Sequence, residues 1–163
     1  MPRLHTTVRR PVDLVEHISV PAERAIAVFD AAPANIVGSG TTGPAPASAT
    51  LANLSTGLGG GRTLTRDVRV GFGPAMDDDG DHVLPVWWED AEHPYLFPAF
   101  DGGLELRRNG EQTDVRLVGS YQPPLGPVGR FADGLAGHRV VIASLEAFLH
   151  EVAGRLEEAA DAT

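Results

Sequence analysis

Two side chains in the second half of the chain, Tyr121 and His138, have chemistry suited to proton transfer. An imidazole titrates near neutral pH, so His138 could act as a general acid or base, or donate a hydrogen bond to a ligand. Tyr121 combines an apolar ring with a polar tip, so it would either orient a ligand or close one end of a sheet. The simpler interpretation of His138 is a core histidine bonded to a backbone carbonyl or to Asp133. Both residues are candidates for catalysis, and neither is assigned as catalytic.

Metal and cofactor sites are not predicted. The chain has no cysteine, so neither a thiolate metal site nor a cysteine nucleophile can form. The other histidines lack the H-x-H or H-E-x-x-H spacing of metal ligands. The acidic run at 77–81 has its glycine misplaced for a calcium loop and is favoured as a solvated turn. The glycines at 38, 40 and 43 have dinucleotide-motif spacing, but Pro44 and Pro46 prevent the helix that such a motif requires.

Length and charge restrict the class of protein and its partners. The chain has 163 residues, 42% of them hydrophobic, and a formal net charge of −9, which predicts one domain that would repel nucleic acid and anionic membranes. No apolar run approaches the length of a membrane span, and the N-terminus has no secretion signal. We expect a soluble, cytoplasmic protein, with an extension at 1–11, a domain at 12–157 and a frayed acidic tail at 158–163. The sequence does not predict the oligomeric state.

The periodicity of the apolar residues predicts the elements that would position His138 and Tyr121. A strand at 12–20 leads into a short helix that begins at Pro21, and a second helical piece follows at 34–37. Alternating segments then predict a run of antiparallel strands. The stretch 131–156 has an apolar seam at helical spacing, in which His138 is the one polar member. The fold class is therefore α+β, with a long C-terminal helix laid across a curved antiparallel sheet, and a cavity where helix and sheet diverge.

Two hairpins fix which side chains would face the helix. The turn signal Asn109-Gly110 predicts a two-residue loop that puts the residues of even number before it on one apolar face. Its predicted pairs are Leu106 with Thr113, Leu104 with Val115, Gly102 with Leu117 and Phe100 with Gly119. In the hairpin around Asp79-Gly80, a one-residue slip would put Phe72 opposite Trp88, with Trp88 inward and Trp87 outward.

The predicted cavity is lined from both the sheet and the helix. Gly119 lacks a side chain where its neighbours are large, so it is expected to leave room for a ligand. Glu16 would point inward by simple alternation, where Arg66 could pair with it; the favoured alternative takes both to solvent. The expected ligand-binding residues are Phe72, Trp88, Phe100, Leu104, Leu117, Gly119, Tyr121, Leu135 and His138.

Several motifs resemble one known superfamily. The strand-to-helix segment Ser19-Val20-Pro21-Ala22-Glu23-Arg24 is similar to its V-x-A-P-x-E pattern, although one residue shorter before the glutamate. The segments Leu84-Pro85-Val86-Trp87-Trp88-Glu89 and Gly119-Ser120-Tyr121-Gln122-Pro123-Pro124-Leu125-Gly126, with Asp133 and His138-Arg139, resemble a group of bacterial members. The chain thus resembles, over about 12–156, the StAR-related lipid-transfer and birch-pollen-allergen superfamily (SRPBCC), which includes polyketide cyclases. Trp87 departs from that group, in which this position is more often basic.

The resemblance implies a helix-grip fold and two classes of function. The first is binding of a small hydrophobic or aromatic molecule, lipid-like or polyketide-like, between the sheet and the helix, with no cofactor. The alternative is an aromatase or cyclase type of enzyme in which His138 and Tyr121 transfer protons. A third hypothesis is a packed fold that serves protein contacts, for which an outward Trp87 would be the characteristic feature.

Overall fold

The computed structural model describes residues 9–38, 49–59, 62–89, 99–122 and 135–163, and their side chains except those of 49–69, 89, 135–137 and 140. Within these ranges a first strand is followed by two short helices, six further strands and a long helix. The elements are β1 (Arg10–Ile18), α1 (Ala22–Ala31), α2 (Pro33–Val37), β2 (Ala49–Gly59), β3 (Arg62–Phe72), β4 (Met76–Asp78), β5 (Asp81–Glu89), β6 (Ala99–Asn109), β7 (Gln112–Gln122) and α3 (Leu135–Asp161).

The strands form one antiparallel sheet in the order β1-β7-β6-β5-β3-β2, with β4 paired to β5. The helix α3 packs against β1, β2 and β7 of this sheet and against both short helices. Its buried residues recur every three or four positions, as the apolar seam predicted. They are Val141, Ser144, Leu145, Phe148, Leu149, Val152, Ala153, Leu156 and Ala160. The expected α+β architecture, with a long helix across an antiparallel sheet, is confirmed.

The bounds of α3 can be compared with the predicted bounds at each end of the helix. The predicted start, Phe131, lies outside the described residues, and the described helix begins at Leu135. At the other end the helix continues to Asp161, and Ala160 is almost fully buried. The residues expected to form a frayed tail from 158 onward are thus helical as far as Asp161, because the apolar seam extends one turn further than Leu156.

The short helices hold the C-terminal half of α3. Pro21 lies just before α1, and its carbonyl oxygen accepts bonds from the backbone amides of Arg24 and Ala25. Pro33 at the first position of α2 separates the two helices. Arg155 of α3 donates to the carbonyl oxygen of Ile36 over 3.1 Å. Glu157 accepts a bond from the backbone amide of Ser19 over 2.9 Å. This half of α3 is therefore anchored by polar bonds as well as by its seam.

The register of the β6–β7 hairpin corrects the predicted pairs. Asn109 pairs with Gln112, so the loop is Gly110-Glu111, and Gly110 has a φ of 63°. A positive φ at the first central position is the pattern of a type II′ turn, which takes glycine there. The predicted pairs were wrong by two residues: the structure pairs Leu104 with Leu117 and Phe100 with Tyr121. Because side chains alternate with period two, this shift leaves the apolar face unchanged.

The second hairpin also has a register that differs from the prediction. Asp79 and Gly80 form a two-residue turn with φ values of 49° and 90°, and Met76 pairs with Val83. The one-residue slip lies in the connection 73–75, and Phe72 pairs with Val86. The predicted pairing of Phe72 with Trp88 was wrong, because the slip runs in the opposite direction. The predicted orientation is confirmed, since Trp88 is 2% exposed and Trp87 is 45% exposed.

Candidate functional site

An aromatic row crosses the inner face of the sheet. Consecutive strand pairs bring Trp88 of β5 beside Phe100 of β6, and Phe100 beside Tyr121 of β7. We call Trp88, Phe100 and Tyr121 the aromatic row. All three are at most 3% exposed. Three large side chains at one level of the sheet form an apolar wall on the side of α3.

Trp88 carries a buried polar atom that has no partner among the described residues. Its ring stacks on Phe100 with centroids 4.5 Å apart and lies 5.1 Å from the ring of Phe148 on α3. Its Nε1 is buried and has no hydrogen-bond partner in the part of the chain that the structure describes. A buried donor without a partner costs about 1–3 kcal/mol. This cost offsets part of the stability that burial of the large indole ring contributes.

Tyr121 joins the aromatic row to α3 through His138. The Tyr121 hydroxyl and Nδ1 of His138 are 2.7 Å apart, and in the tautomer with its proton on Nε2 the hydroxyl donates to Nδ1. Burial raises the pKa of the Tyr121 phenol, while the nearby charge of Arg10 and a hydrogen bond from Arg10 oppose that shift. The partner of His138 is thus a phenol rather than the backbone carbonyl expected for a core histidine; Asp133 lies outside the described residues. Nδ1 is occupied, and Nε2 has no partner among the residues that the structure describes, so Nε2 is the atom of His138 that could contact a ligand.

Gly119 does not leave the gap that was expected of it. It pairs directly with Gly102, and a Cβ atom built on Gly119 would lie 2.4 Å from the carbonyl oxygen of Asp101 and 2.6 Å from the Cα of Gly102. A Cβ on Gly102 would meet the Phe100 ring at 2.8 Å. The prediction of room for a ligand at Gly119 is corrected, because the neighbouring strand occupies that space. The two glycines allow β6 and β7 to approach closely beside the aromatic row.

The remaining predicted lining residues lie away from the aromatic row or outside the described side chains. Leu104 and Leu117 pair with each other, four residues along the strands, or about 13 Å from the row, and both are fully buried in the core. Phe72 is also part of the core. The side chain of Leu135 lies outside the described residues. The structure therefore brings Trp88, Phe100, Tyr121 and His138 together.

Glu16 points toward α3 but remains partly exposed. Its carboxylate lies 3.4 Å from Nδ1 of His150 on that helix, and 36% of its side chain is exposed. The side chain of Arg66 lies outside the described residues, so its pairing with Glu16 stays a prediction. Glu16 is thus a helix contact at the edge of the sheet.

A second polar cluster was missed in the sequence. His82 of β5 is 8% exposed, and its Nδ1 donates to Asp77 over 2.8 Å while its Nε2 donates to Asp30 over 2.7 Å. Burial lowers the pKa of His82, but the two hydrogen bonds and carboxylate charges outweigh it and raise that pKa above its usual 6.5. The one available signal was its alternation with Leu84 and Val86, which puts His82 on the inner face of the sheet.

A groove of about 610 Å³ lies beside this cluster. Its walls come from the end of α1, the start of α2, the connection between β3 and β4, and β5. Phe72 and Leu84 are the lining residues that also belong to the hydrophobic core. The other lining residues are Asp30, Pro33, Gly73, Pro74, Ala75, His82 and Trp87.

Neither a metal centre nor a membrane span occurs in the part of the chain that the structure describes. Among those residues, no group of three or more histidine, aspartate or glutamate side chains is arranged to hold a metal ion. Within the same ranges, no helix has the length and apolar character needed to cross a membrane.

The comparisons with known proteins identify the fold. No protein-family model and no curated protein sequence matches the chain. The protein TTHA0849 from Thermus thermophilus is 14% identical, with a TM-score of 0.51 over 94% of this chain and 98% of its own. Ara h 8.0201 is 10% identical, with a TM-score of 0.51 over 93% of this chain and 99% of its own.

A third similar structure is a point mutant of Thalictrum norcoclaurine synthase in complex with a transition state analogue. It is 12% identical, with a TM-score of 0.50 over 94% of this chain and 97% of its own. Likeness at these identities defines architecture rather than activity. The chain has the helix-grip fold of the birch-pollen-allergen type, as its motifs implied.

Proposed function

We propose that the protein binds a small hydrophobic or aromatic molecule between the inner face of the sheet and the N-terminal half of α3. The observation that carries the proposal is the 2.7 Å bond between Tyr121 and His138, which places one polar pair at the end of an apolar wall. Small-molecule sites have this composition, with mostly apolar walls and a few polar groups that fix orientation. A flat aromatic or polyketide-like molecule matches stacked rings better than a flexible chain does.

The comparisons support the proposal at the level of the fold. The norcoclaurine synthase structure contains a transition state analogue, so a helix-grip protein can hold a small molecule. The charge of this chain, −9, further favours a neutral or cationic ligand over an anionic lipid, because like charges repel.

The first experiment is a titration with the neutral aromatic probe 1-naphthol, followed by the fluorescence of the protein. We expect saturable binding to the unmodified chain and binding about tenfold weaker in His138→Ala, since one hydrogen bond to a ligand is worth about 1.4 kcal/mol. His150→Ala is the matched control, because His150 lies on the same helix with its side chain 80% exposed.

The second experiment searches for the natural ligand by native mass spectrometry of protein purified from its own host. A retained small molecule would identify the ligand class. The proposal fails if no mass is retained and neither 1-naphthol nor a panel of fatty acids and polyketide-like aromatics raises the melting temperature.

A second candidate function is an enzyme of the aromatase or cyclase type. The observation that favours it is the same bond, because a phenol that donates to Nδ1 leaves Nε2 of His138 to exchange a proton with a substrate. A poly-β-keto thioester is the test substrate. Cyclisation in the unmodified protein that is lost in His138→Ala and retained in His150→Ala would establish it, whereas equal turnover in all three would exclude this mechanism.

A further inference from the structure

The surroundings of His82 favour its imidazolium form. Both ring nitrogens lie within 2.8 Å of a carboxylate oxygen, and carboxylates accept hydrogen bonds only, so both nitrogens must carry protons. The ring is 8% exposed, and the edge contact with Phe29 fixes its position. A neutral ring would lose one of the two bonds and direct a lone pair at a carboxylate.

The two bonds of His82 connect different parts of the fold. Asp77 lies five residues away in the adjoining strand β4, whereas Asp30 lies 52 residues away at the end of α1. The bond to Asp77 is therefore local to one hairpin and the easier of the two to keep. The bond to Asp30 ties a helix to the sheet at the groove, where Asp30, His82, Phe72 and Leu84 are all lining residues.

We propose that the Asp30–His82–Asp77 cluster is a proton-operated latch, which ties the end of α1 to the β4–β5 hairpin and limits access from the groove to the core. While His82 is protonated, the groove ends on Phe72 and Leu84. When His82 loses its proton, the bond to Asp77 is retained, the bond to Asp30 is lost and the groove deepens. The part of this proposal that concerns ligand access rests on the proposed function. The part that concerns the movement of α1 is independent of it.

The direction of the pH dependence follows from the groups that face His82. Asp30 faces it from α1 and Asp77 from β4, both negative, and Leu106 is its uncharged neighbour on β6. The nearby Asp81 is neutralised by Arg107. The latch is therefore closed below about pH 6.5, the ordinary histidine pKa, and opens as the pH rises through the raised pKa of His82.

Hydrogen exchange of backbone amides tests the latch without any ligand. The measured quantity is the equilibrium constant for local opening at each amide, corrected for intrinsic exchange. We expect these opening constants at Phe29, Asp30 and Ala31 to rise about tenfold between pH 6 and pH 8.5, because one charge-assisted bond is lost. In Asp30→Asn and His82→Gln these constants should be high at both values. Asp78→Asn is the matched control, since this exposed carboxylate in β4 should leave the pH dependence intact.

Two results would overturn the latch: opening constants that do not change with pH, or nitrogen chemical shifts that show a neutral His82 at pH 6. The association rate of 1-naphthol then tests access, and should rise with pH in the unmodified chain but not in His82→Gln. A pH-dependent α1 with an unchanged association rate would refute control of access. No naphthol binding at any pH would count against the proposed function, while hydrogen exchange would still decide the latch.

Discussion

The hydroxyl of Tyr121 lies 2.7 Å from Nδ1 of His138, so one hydrogen bond joins β7 to the first third of α3. Near the other end of α3, Arg155 donates to the carbonyl oxygen of Ile36 and Glu157 accepts a bond from the amide of Ser19. The helix is thus fixed to the rest of the fold near both ends.

Removal of the Tyr121 hydroxyl should measure the strength of this bond. We expect Tyr121→Phe to lower the free energy of unfolding by about 1 kcal/mol, because a typical intramolecular hydrogen bond contributes that much and the ring remains. Urea denaturation of both single variants and of the double variant with His138→Ala gives the coupling energy. Additive effects of the two substitutions would show that the two groups do not interact in solution.

The sequence predicts those parts of the site that depend on local alternation, and it does not predict those that depend on how the helix crosses the sheet. The inner face of the sheet follows from alternation, which survives an error of two residues in register, so Trp88, Phe100 and Tyr121 were assigned to that face although their partners were wrong. The contact between Tyr121 and His138 depends on where the helix crosses the sheet, and no local pattern contains that information. Gly119 was misjudged because a missing side chain can admit either a ligand or a neighbouring backbone.

The His82 cluster could not be found from the sequence for a different reason. Its partners lie five and 52 residues away, and one belongs to an acidic run with the appearance of a solvated turn. That interpretation is correct for Asp79, whose φ of 49° places it in the turn. Asp77, two residues earlier, turns back to His82. Pairing of the strand ends, rather than composition, decides which carboxylate becomes a partner.

The indole nitrogen of Trp88 has no partner within the described ranges, which predicts an unusually mild core substitution. Trp88→Phe loses buried ring atoms but removes a donor that costs about 1–3 kcal/mol, so we expect a change in the free energy of unfolding within about 1 kcal/mol. Phe148→Ala, at the ring that packs on Trp88, should cost about 3–5 kcal/mol in the same urea titration. A loss at Trp88→Phe as large as that at Phe148→Ala would imply that the indole nitrogen has a partner in solution.

The pair of Asp81 and Arg107 predicts part of the response to acid. The hydrogen bond from Arg107 holds the pKa of Asp81 below its usual 3.8. A lowered carboxyl pKa adds stability above the ordinary pKa, and this is lost as the pH falls from about 4 through the lowered value. Asp81→Asn should therefore reduce stability at pH 7, and the loss should become smaller as the pH falls below about 4, as urea midpoints at a series of pH values would show. Equal losses at both pH values would mean that the effect of Asp81→Asn is not electrostatic.

The same substitution, glycine to alanine, should have opposite effects on stability at Gly119 in β7 and at Gly154 in α3. A Cβ on Gly119 would lie 2.4 Å from the carbonyl oxygen of Asp101, and backbone atoms of a central strand cannot move aside cheaply, so Gly119→Ala should cost about 1–3 kcal/mol. Gly154 lies in α3 with nothing within 4 Å of a built Cβ, so Gly154→Ala should stabilise the protein by about 0.5–1 kcal/mol through helix propensity. Thermal unfolding of both variants, with Gly154→Ala as the control for the added methyl group, checks the pair. A neutral Gly119→Ala would mean that β6 and β7 separate at this point, and would restore the gap beside Tyr121 that the sequence alone had predicted.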